Sequence, residues 1–196
     1  MKKSLAFTLL WLIVLPVMAQ KQIEKSISFS GKESIELTIE ITDSIIINTW
    51  NKPEILAKAS ININDNKDND AYRTTFSKEG ENIIISASIE KYYFIDNNCN
   101  CCCEGMIIWK INIPENTPFS LETINGNVTI AGSTTEVRAK TISGFIDWEV
   151  TPGRKADLEM KTITGTMYSD LEFYQRNMEG AYHNWFPKSL TKAGTL

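Results

Sequence analysis

From Ile35 to Thr42 the chain alternates strictly, with Ile35, Leu37, Ile39 and Ile41 set against Glu36, Thr38, Glu40 and Thr42. A period of two marks a strand with one face buried and the other in water. Asp43-Ser44 then turns the chain into Ile45-Ile46-Ile47. Asn51-Lys52-Pro53 turns it again into Ile55 to Ile63, where Ala57, Ala59 and Ile61 share a face. Asn82 to Ile89, Tyr92 to Ile95, and the alternating Ile107, Trp109, Ile111 and Ile113 read as further strands. Beyond residue 19 no run of ten residues has a clean helical period, and Pro114, Pro118 and Pro152 fall at connections. The pattern predicts an all-β chain with little helix.

One phrase recurs three times between Leu121 and Asp170: Thr123-Ile124-Asn125-Gly126-Asn127, Thr141-Ile142-Ser143-Gly144-Phe145 and Thr162-Ile163-Thr164-Gly165-Thr166. The glycines lie 18 and then 21 residues apart, a period that points to stacked supersecondary units. Aligned on Gly126, Gly144 and Gly165, the copies share apolar columns: Val128, Ile146 and Met167 on one side, Leu121, Ala139 and Met160 on the other. Between them stand Glu122, Lys140 and Lys161, and Thr129, Asp147 and Tyr168, which the alternation turns to solvent. Ile124, Ile142 and Ile163 break the pattern, so the chain is expected to bend there or to be covered by a second surface. The glycines are assigned as turn residues with backbone angles that a Cβ disfavours. Stacked at roughly 4.8 Å, such units pair through their backbones and share one core. The expected architecture is a single-stranded β-solenoid resembling a parallel β-helix. An antiparallel sandwich with similar turns is the competing arrangement.

The first nineteen residues read as a secretory signal peptide: Lys2 and Lys3, the apolar run Leu5 to Val17, and Val17-Met18-Ala19 before a cleavage point at Gln20. The run is shorter than the roughly 20 residues that span a bilayer, and Gln20 is not the cysteine of a lipid-anchored form. Residues 20–196 are expected to form a single domain. The ending Ser189–Leu196 stops as a further rung begins, so the solenoid is expected to lack its last rung and to leave a C-terminal edge open to self-association or a partner strand. The chain carries 20 basic and 24 acidic residues, net −4; loss of Lys2 and Lys3 leaves 18 against 24, net −6. With no basic cluster, this balance argues against nucleic acid and anionic membrane surfaces as partners.

Asn62 to Asp70 offers many oxygen ligands, but a calcium loop starting at Asn64 would need glycine at Asn69 and glutamate at Thr75, so a solvated loop is expected. Cys99, Cys101, Cys102 and Cys103 are all the cysteines of the chain. In an exported protein they read first as a local disulfide staple, Cys99 with Cys102 or Cys103, and second as a thiolate cluster for a soft metal such as copper or zinc. The usual paired metal-ligand spacing and a neighbouring histidine are missing, so no metal and no cofactor is assigned. His183, the only histidine, has Tyr182, Trp185 and Phe186 beside it and no nucleophile. Glu122 with Asp147, or Asp157 with Glu159, would be the acid pairs of a glycosidase or lyase, but lysines interleave with them and a solvated strand face is the simpler reading. Trp50, Trp109, Trp148 and Trp185 offer an aromatic sugar-stacking surface, except that the register of Trp148 places it in the core. No catalytic residue is assigned.

The glycine phrase, the segment Ile47-Asn48-Thr49-Trp50-Asn51-Lys52-Pro53 and the segment Met167-Tyr168-Ser169-Asp170-Leu171 resemble an exported bacterial β-repeat family of unknown function, the putative adhesins. The likeness runs from about Ile35 to Phe173. It implies a right-handed solenoid at the cell envelope, periplasmic or on the cell surface, with no shared catalytic motif to transfer. The expected function is a non-enzymatic envelope protein, adhesin or scaffold, whose partner is an unknown envelope protein or glycan. A polysaccharide-active β-helix enzyme and a periplasmic metal or redox binder acting through the cysteines are the alternatives.

Overall fold

A computed structural model of the protein describes residues 20–90 and 105–149. In chain order the strands are β1 (Lys21–Ser28), β2 (Ser34–Ile39), β3 (Ile41–Trp50), β4 (Glu54–Ile63), β5 (Tyr72–Glu79), β6 (Asn82–Ile89), β7 (Gly105–Pro114), β8 (Phe119–Ala131), β9 (Val137–Ser143) and β10 (Ile146–Glu149). The only helical element among the described residues is a 3₁₀ turn at Asn69–Ala71.

All ten strands of the described residues join one sheet in the order β1-β4-β7-β3-β8-β2-β6-β5, with β9 and β10 both paired to β8. This overturns the β-solenoid expectation, right-handed and parallel throughout. Three pairs are antiparallel, β1 with β4, β4 with β7 and β5 with β6, and the result is a mixed sheet curled around one core. The tight turn Glu79-Gly80-Glu81-Asn82 makes β5 and β6 an antiparallel hairpin, whereas the reversal at Asn51-Lys52-Pro53 sends β4 back beyond β7, so that β4 runs against β7 and β1 rather than pairing with β3. Gly80 takes φ 62° in the first of these turns.

The parallel pairs surround β8, a strand of 13 residues that serves both limbs of the curl. Its start pairs with β2 and β9 (Leu121 beside Leu37 and Ala139) and its end with β3 and β10 (Val128 beside Ile45 and Ile146). The 18-residue spacing of the first two phrases is the register of β8 with β9 and β10. The third phrase, with Gly165, lies outside the described residues, as do Tyr92 to Ile95.

Between the two halves of β8 the chain bends. The Glu40 carbonyl accepts hydrogen bonds from both Ile124 N (2.9 Å) and Asn125 N (3.0 Å), which draws the corner of β8 against the junction of β2 and β3. Three threonines line this corner in successive strands. Thr42, Thr123 and Thr141 each turn Oγ1 toward the carbonyl two residues ahead and toward a carbonyl of the adjoining strand: Ile107 O (2.8 Å), Glu40 O (3.4 Å) and Gly126 O (3.3 Å). The bend settles the Ile124 and Ile142 irregularity, for both side chains are exposed along the outside of the corner, at 47% and 73%.

Gly126 is needed for a different reason from the one its turn-like sequence suggests. It has no positive φ; a Cβ there would stand 2.6 Å from Thr42 Cγ2 and 3.1 Å from Thr42 O. Gly144 combines both constraints, with φ 125° and a Cβ position 2.2 Å from Gly126 O.

Inward-facing columns run across the strands. Ala59, Trp109, Ile45 and Val128 form one, and Ala57, Ile111, Ile47 and Ile130 another, all buried. Alanine stands opposite the largest side chains, so the antiparallel β4 lies close over β7 without overfilling the interior. In the other limb Ile83, Ile35 and Phe119, and Ile85, Leu37 and Leu121, form equivalent columns. Each buried isoleucine or leucine contributes on the order of 1.5 to 3 kcal/mol. The limbs meet where Trp109 Nε1 donates to the Tyr72 hydroxyl (3.0 Å), which in turn donates to Ile41 O (3.2 Å). Burial pushes the Tyr72 phenol up to about 12, opposed by the Trp109 hydrogen bond.

Glu33 is the buried carboxylate of the connection from β1 to β2, its side chain 3% exposed. It accepts hydrogen bonds from Lys78 Nζ, Ser30 Oγ, Ser30 N and Lys32 N, so it ties that connection to β5. The Lys78 hydrogen bond, with the Ser30 and backbone donors behind it and burial working against them, holds its pKa well below the ordinary 4.5.

Two predictions follow from this framework. In urea denaturation Gly144→Ala should lose about 2 to 3 kcal/mol, whereas Gly80→Ala, where a Cβ meets nothing within 4 Å, should lose only about 1 kcal/mol of left-handed strain; equal losses would refute the close-approach account. Because the folded pKa of Glu33 is depressed, its contribution is complete above the ordinary carboxylate value and drains away as pH falls below it. Urea midpoints measured from pH 6 to pH 3 should therefore fall more steeply for the native chain than for Glu33→Gln, and parallel curves would refute the clasp.

Candidate functional site

Of the residues the sequence nominates, few come together. Cys99, Cys101, Cys102, Cys103, Asp157, Glu159, His183, Trp185 and Gly165 lie outside the described residues. Glu122 and Asp147 are divided by the bend: Glu122 projects from the first half of β8 with Lys140 Nζ 3.7 Å away, and Asp147 sits on β10 in register with Thr129 of the second half. Trp50, Trp109 and Trp148, the tryptophans among the described residues, form no common surface. Trp109 is fully buried. Trp50 is partly buried at a turn, its Nε1 donating to Glu54 O (2.8 Å) and Lys52 Nζ lying 4.7 Å from its ring centroid. Trp148 packs against the core, and its indole nitrogen is buried with no hydrogen-bond partner.

The Asn62–Asp70 loop uses its polar groups on itself. Asn64, Asp65 and Asn66 take φ of 50°, 51° and 67°, a left-handed run that asparagine and aspartate tolerate better than other side chains. Asn69, 7% exposed, accepts Ile63 N through Oδ1 (2.7 Å) and donates through Nδ2 to Asn66 Oδ1 (3.1 Å). Asn62 Oδ1 accepts Asn66 N, and Asn64 Nδ2 donates to Asp68 Oδ2. Lys21 Nζ lies 2.6 Å from Asp70 Oδ1, and that hydrogen bond, with the attraction of the ammonium charge, lowers the Asp70 pKa. Among the described residues no group of three or more His, Cys, Asp or Glu is arranged to hold a metal ion.

What sequence reasoning missed is the outer face of the limb built from β1, β4, β7, β3 and β8. Side chains alternate, so burial of Ile45 and Ile47 turns Ser44, Ile46 and Asn48 outward. Register then assembles rows. Glu24, Lys58, Lys110, Ile46, Thr129 and Asp147 form one across six strands, and Asn112 stands beside Asn48 in the next. Lys58 is paired with Glu24 at 3.0 Å. Lys110, directly opposite Lys58 across the antiparallel β4–β7 pair, has no ion-pair partner among the described residues, and neither carboxamide of Asn48 and Asn112 is engaged by another described side chain. Like charges directly opposite each other destabilise a sheet. No local pattern reveals this pair, because the two lysines lie 52 positions apart.

With this geometry in place, the chain can be set beside solved proteins. It is similar in fold to a putative cell adhesion protein from Clostridium sporogenes, with 14% identity over 71% of this chain and 65% of that one and a TM-score of 0.50. A putative adhesin from Bacteroides fragilis matches at 10% identity over 67% of this chain and 57% of that one, TM-score 0.38. A putative lipid binding protein from Parabacteroides distasonis matches at 17% identity over 56% and 41%, TM-score 0.32. The chain thus spans less than two thirds of the length of each of these proteins. No family model and no curated protein matches the chain. No helix among the described residues is long and apolar enough to cross a membrane.

For the asparagine loop, Asn69→Ala should cost about 1 to 3 kcal/mol in urea denaturation, since it strands the buried Ile63 N–H. Millimolar calcium should leave the melting temperature of the native chain unchanged; a rise with added calcium would restore the loop as an ion site.

Proposed function

We propose that the protein is a non-enzymatic, exported protein of the cell envelope, periplasmic or on the cell surface, that acts as an adhesin or scaffold by presenting the outer face of its curled sheet to an envelope protein or glycan. The observation that carries this reading is the division of labour in the sheet: one face is filled by the apolar columns, and the other displays polar and charged side chains on strands that, β1 at the edge apart, are locked by pairing on both sides. Such a face binds extended partners without rearrangement. The fold likeness to a putative cell adhesion protein agrees with it, although a fold can host many functions. The separation of Glu122 and Asp147 onto two limbs, with Lys140 beside Glu122, disfavours the reading as a polysaccharide-active enzyme, whose two carboxyl groups must flank one glycosidic bond. The leader peptide supports export.

The test is deletion of the gene followed by complementation. Attachment of cells to surfaces or to neighbouring cells should fall and return with the restored gene. Unchanged attachment and unchanged envelope integrity would overturn the proposal, as would release of cleavage products from a glycan panel incubated with the purified chain.

A further inference from the structure

The unrelieved lysine pair of the outer face gives the adhesive surface a ligand chemistry, and the inference rests on the adhesin-type reading. We propose that the row through Lys58 and Lys110, with Asn48 and Asn112 beside it, is the docking site of an acidic polysaccharide, a polymer of uronic acids whose carboxylates meet the two ammonium groups and whose hydroxyls meet the two carboxamides.

In a chain of net charge −4, two exposed lysines face each other in mid-sheet, where directly opposite Cβ atoms are roughly 4.5 to 5.5 Å apart. Glu24 offsets one of them. The next carboxylate along the row, Asp147, is three strands from Lys110, with Ile46 and Thr129 between. Three strand spacings are roughly 14 Å, beyond the Debye length of about 8 Å at physiological salt. Asp43, on the same strand as Ile46, accepts from Ile107 N at 2.6 Å, three residues and roughly 10 Å along β7 from Lys110. Lys110 therefore carries a positive charge that the described residues leave uncompensated, and an incoming carboxylate relieves its repulsion with Lys58. The side chains next to it select the carrier of that carboxylate. Asn48 and Asn112 donate and accept in the manner a sugar hydroxyl requires. Ile46 and Leu56 are partly buried in the face and offer an apolar floor to the C–H face of a sugar ring. This favours a polysaccharide over a phospholipid surface.

The test uses the mature chain and three probes in titration calorimetry: polygalacturonate, neutral dextran, and vesicles of phosphatidylglycerol. The native chain should bind polygalacturonate, more weakly as salt is raised, and should not bind dextran or vesicles. Lys110→Gln should weaken binding roughly fivefold, the scale of one exposed ion pair, and Lys58→Gln with Lys110→Gln should abolish it. Lys140→Gln on the other limb should bind as the native chain does. Urea midpoints of the variants at or above the native value would show that they fold. Absence of polygalacturonate binding, equal binding of dextran, preference for vesicles, or full binding by the folded double variant would each overturn the assignment. Attachment lost on gene deletion together with no polygalacturonate binding would reject this ligand while leaving the adhesive role standing, so the two failures are distinguishable.

Discussion

The structure depends on a single strand belonging to two limbs at once. β8 pairs with β2 and β9 along its first half and with β3 and β10 along its second, and it can do so only because the chain bends between the halves without losing its backbone hydrogen bonds. The Glu40 carbonyl, taking both Ile124 N and Asn125 N, holds that bend. Backbone groups at a corner would otherwise be left unpaired, at the cost of desolvation without compensation. The threonines of the corner and the close packing at Gly126 and Gly144 follow from the same need, since strands can turn in step only if nothing larger than a hydrogen stands between them.

Once the bend is set, alternation does the rest. Each inward position on β8 finds inward positions on its neighbours at the same height, so isoleucines, leucines and Trp109 align into columns, with alanines where the interior is full. Each outward position likewise falls into a row. The core and the outer face are thus two consequences of one register: a slip of a single residue would bury lysine and expose isoleucine. This coupling also keeps the outer face rigid. Most of its side chains project from strands hydrogen-bonded on both sides, β4, β7, β3 and β8, so the cost of ordering them before a partner arrives has already been met by folding.

The two antiparallel margins are protected in the way edge strands usually are. β1 carries Lys21, Glu24 and Lys25, and β5 carries Arg73, Lys78 and Glu79. Several of these are tied down, Lys21 to Asp70, Glu24 to Lys58, Arg73 to Glu90 and Lys78 to Glu33. Apart from the Lys78 pair with the buried Glu33, these are surface pairs that add little stability individually; their effect is to make a second strand an unfavourable neighbour. Such a molecule is suited to meeting its partner face-on.

The strands from Ile35 to Ile63 and the inward role of Leu121 and Val128 were legible in the sequence, because burial on one face imposes a period of two whatever the strand's neighbours are. The 18-residue spacing of Gly126 and Gly144 was legible for a similar reason: equal path lengths bring equivalent residues into register. Direction was not. Alternation is the same for parallel and antiparallel neighbours, so nothing local in Ile55 to Ile63 disclosed that β4 runs against β7 and β1. Nor could a local reading show that Gly126 is demanded by Thr42, or that Lys58 would stand opposite Lys110, because each pair is remote in the chain. The sequence by itself determined the strands with strict alternation and the face each of them buries, since these follow from neighbours one to four positions away; it did not disclose β1 or β5, and the turns expected at Asp43-Ser44 and Gly126 lie within β3 and β8. Only the tertiary structure decided which strand lies beside which, and with that the bend, the mixed sheet and the lysine pair, because these depend on hydrogen bonds and contacts between segments that meet only when the whole sheet closes.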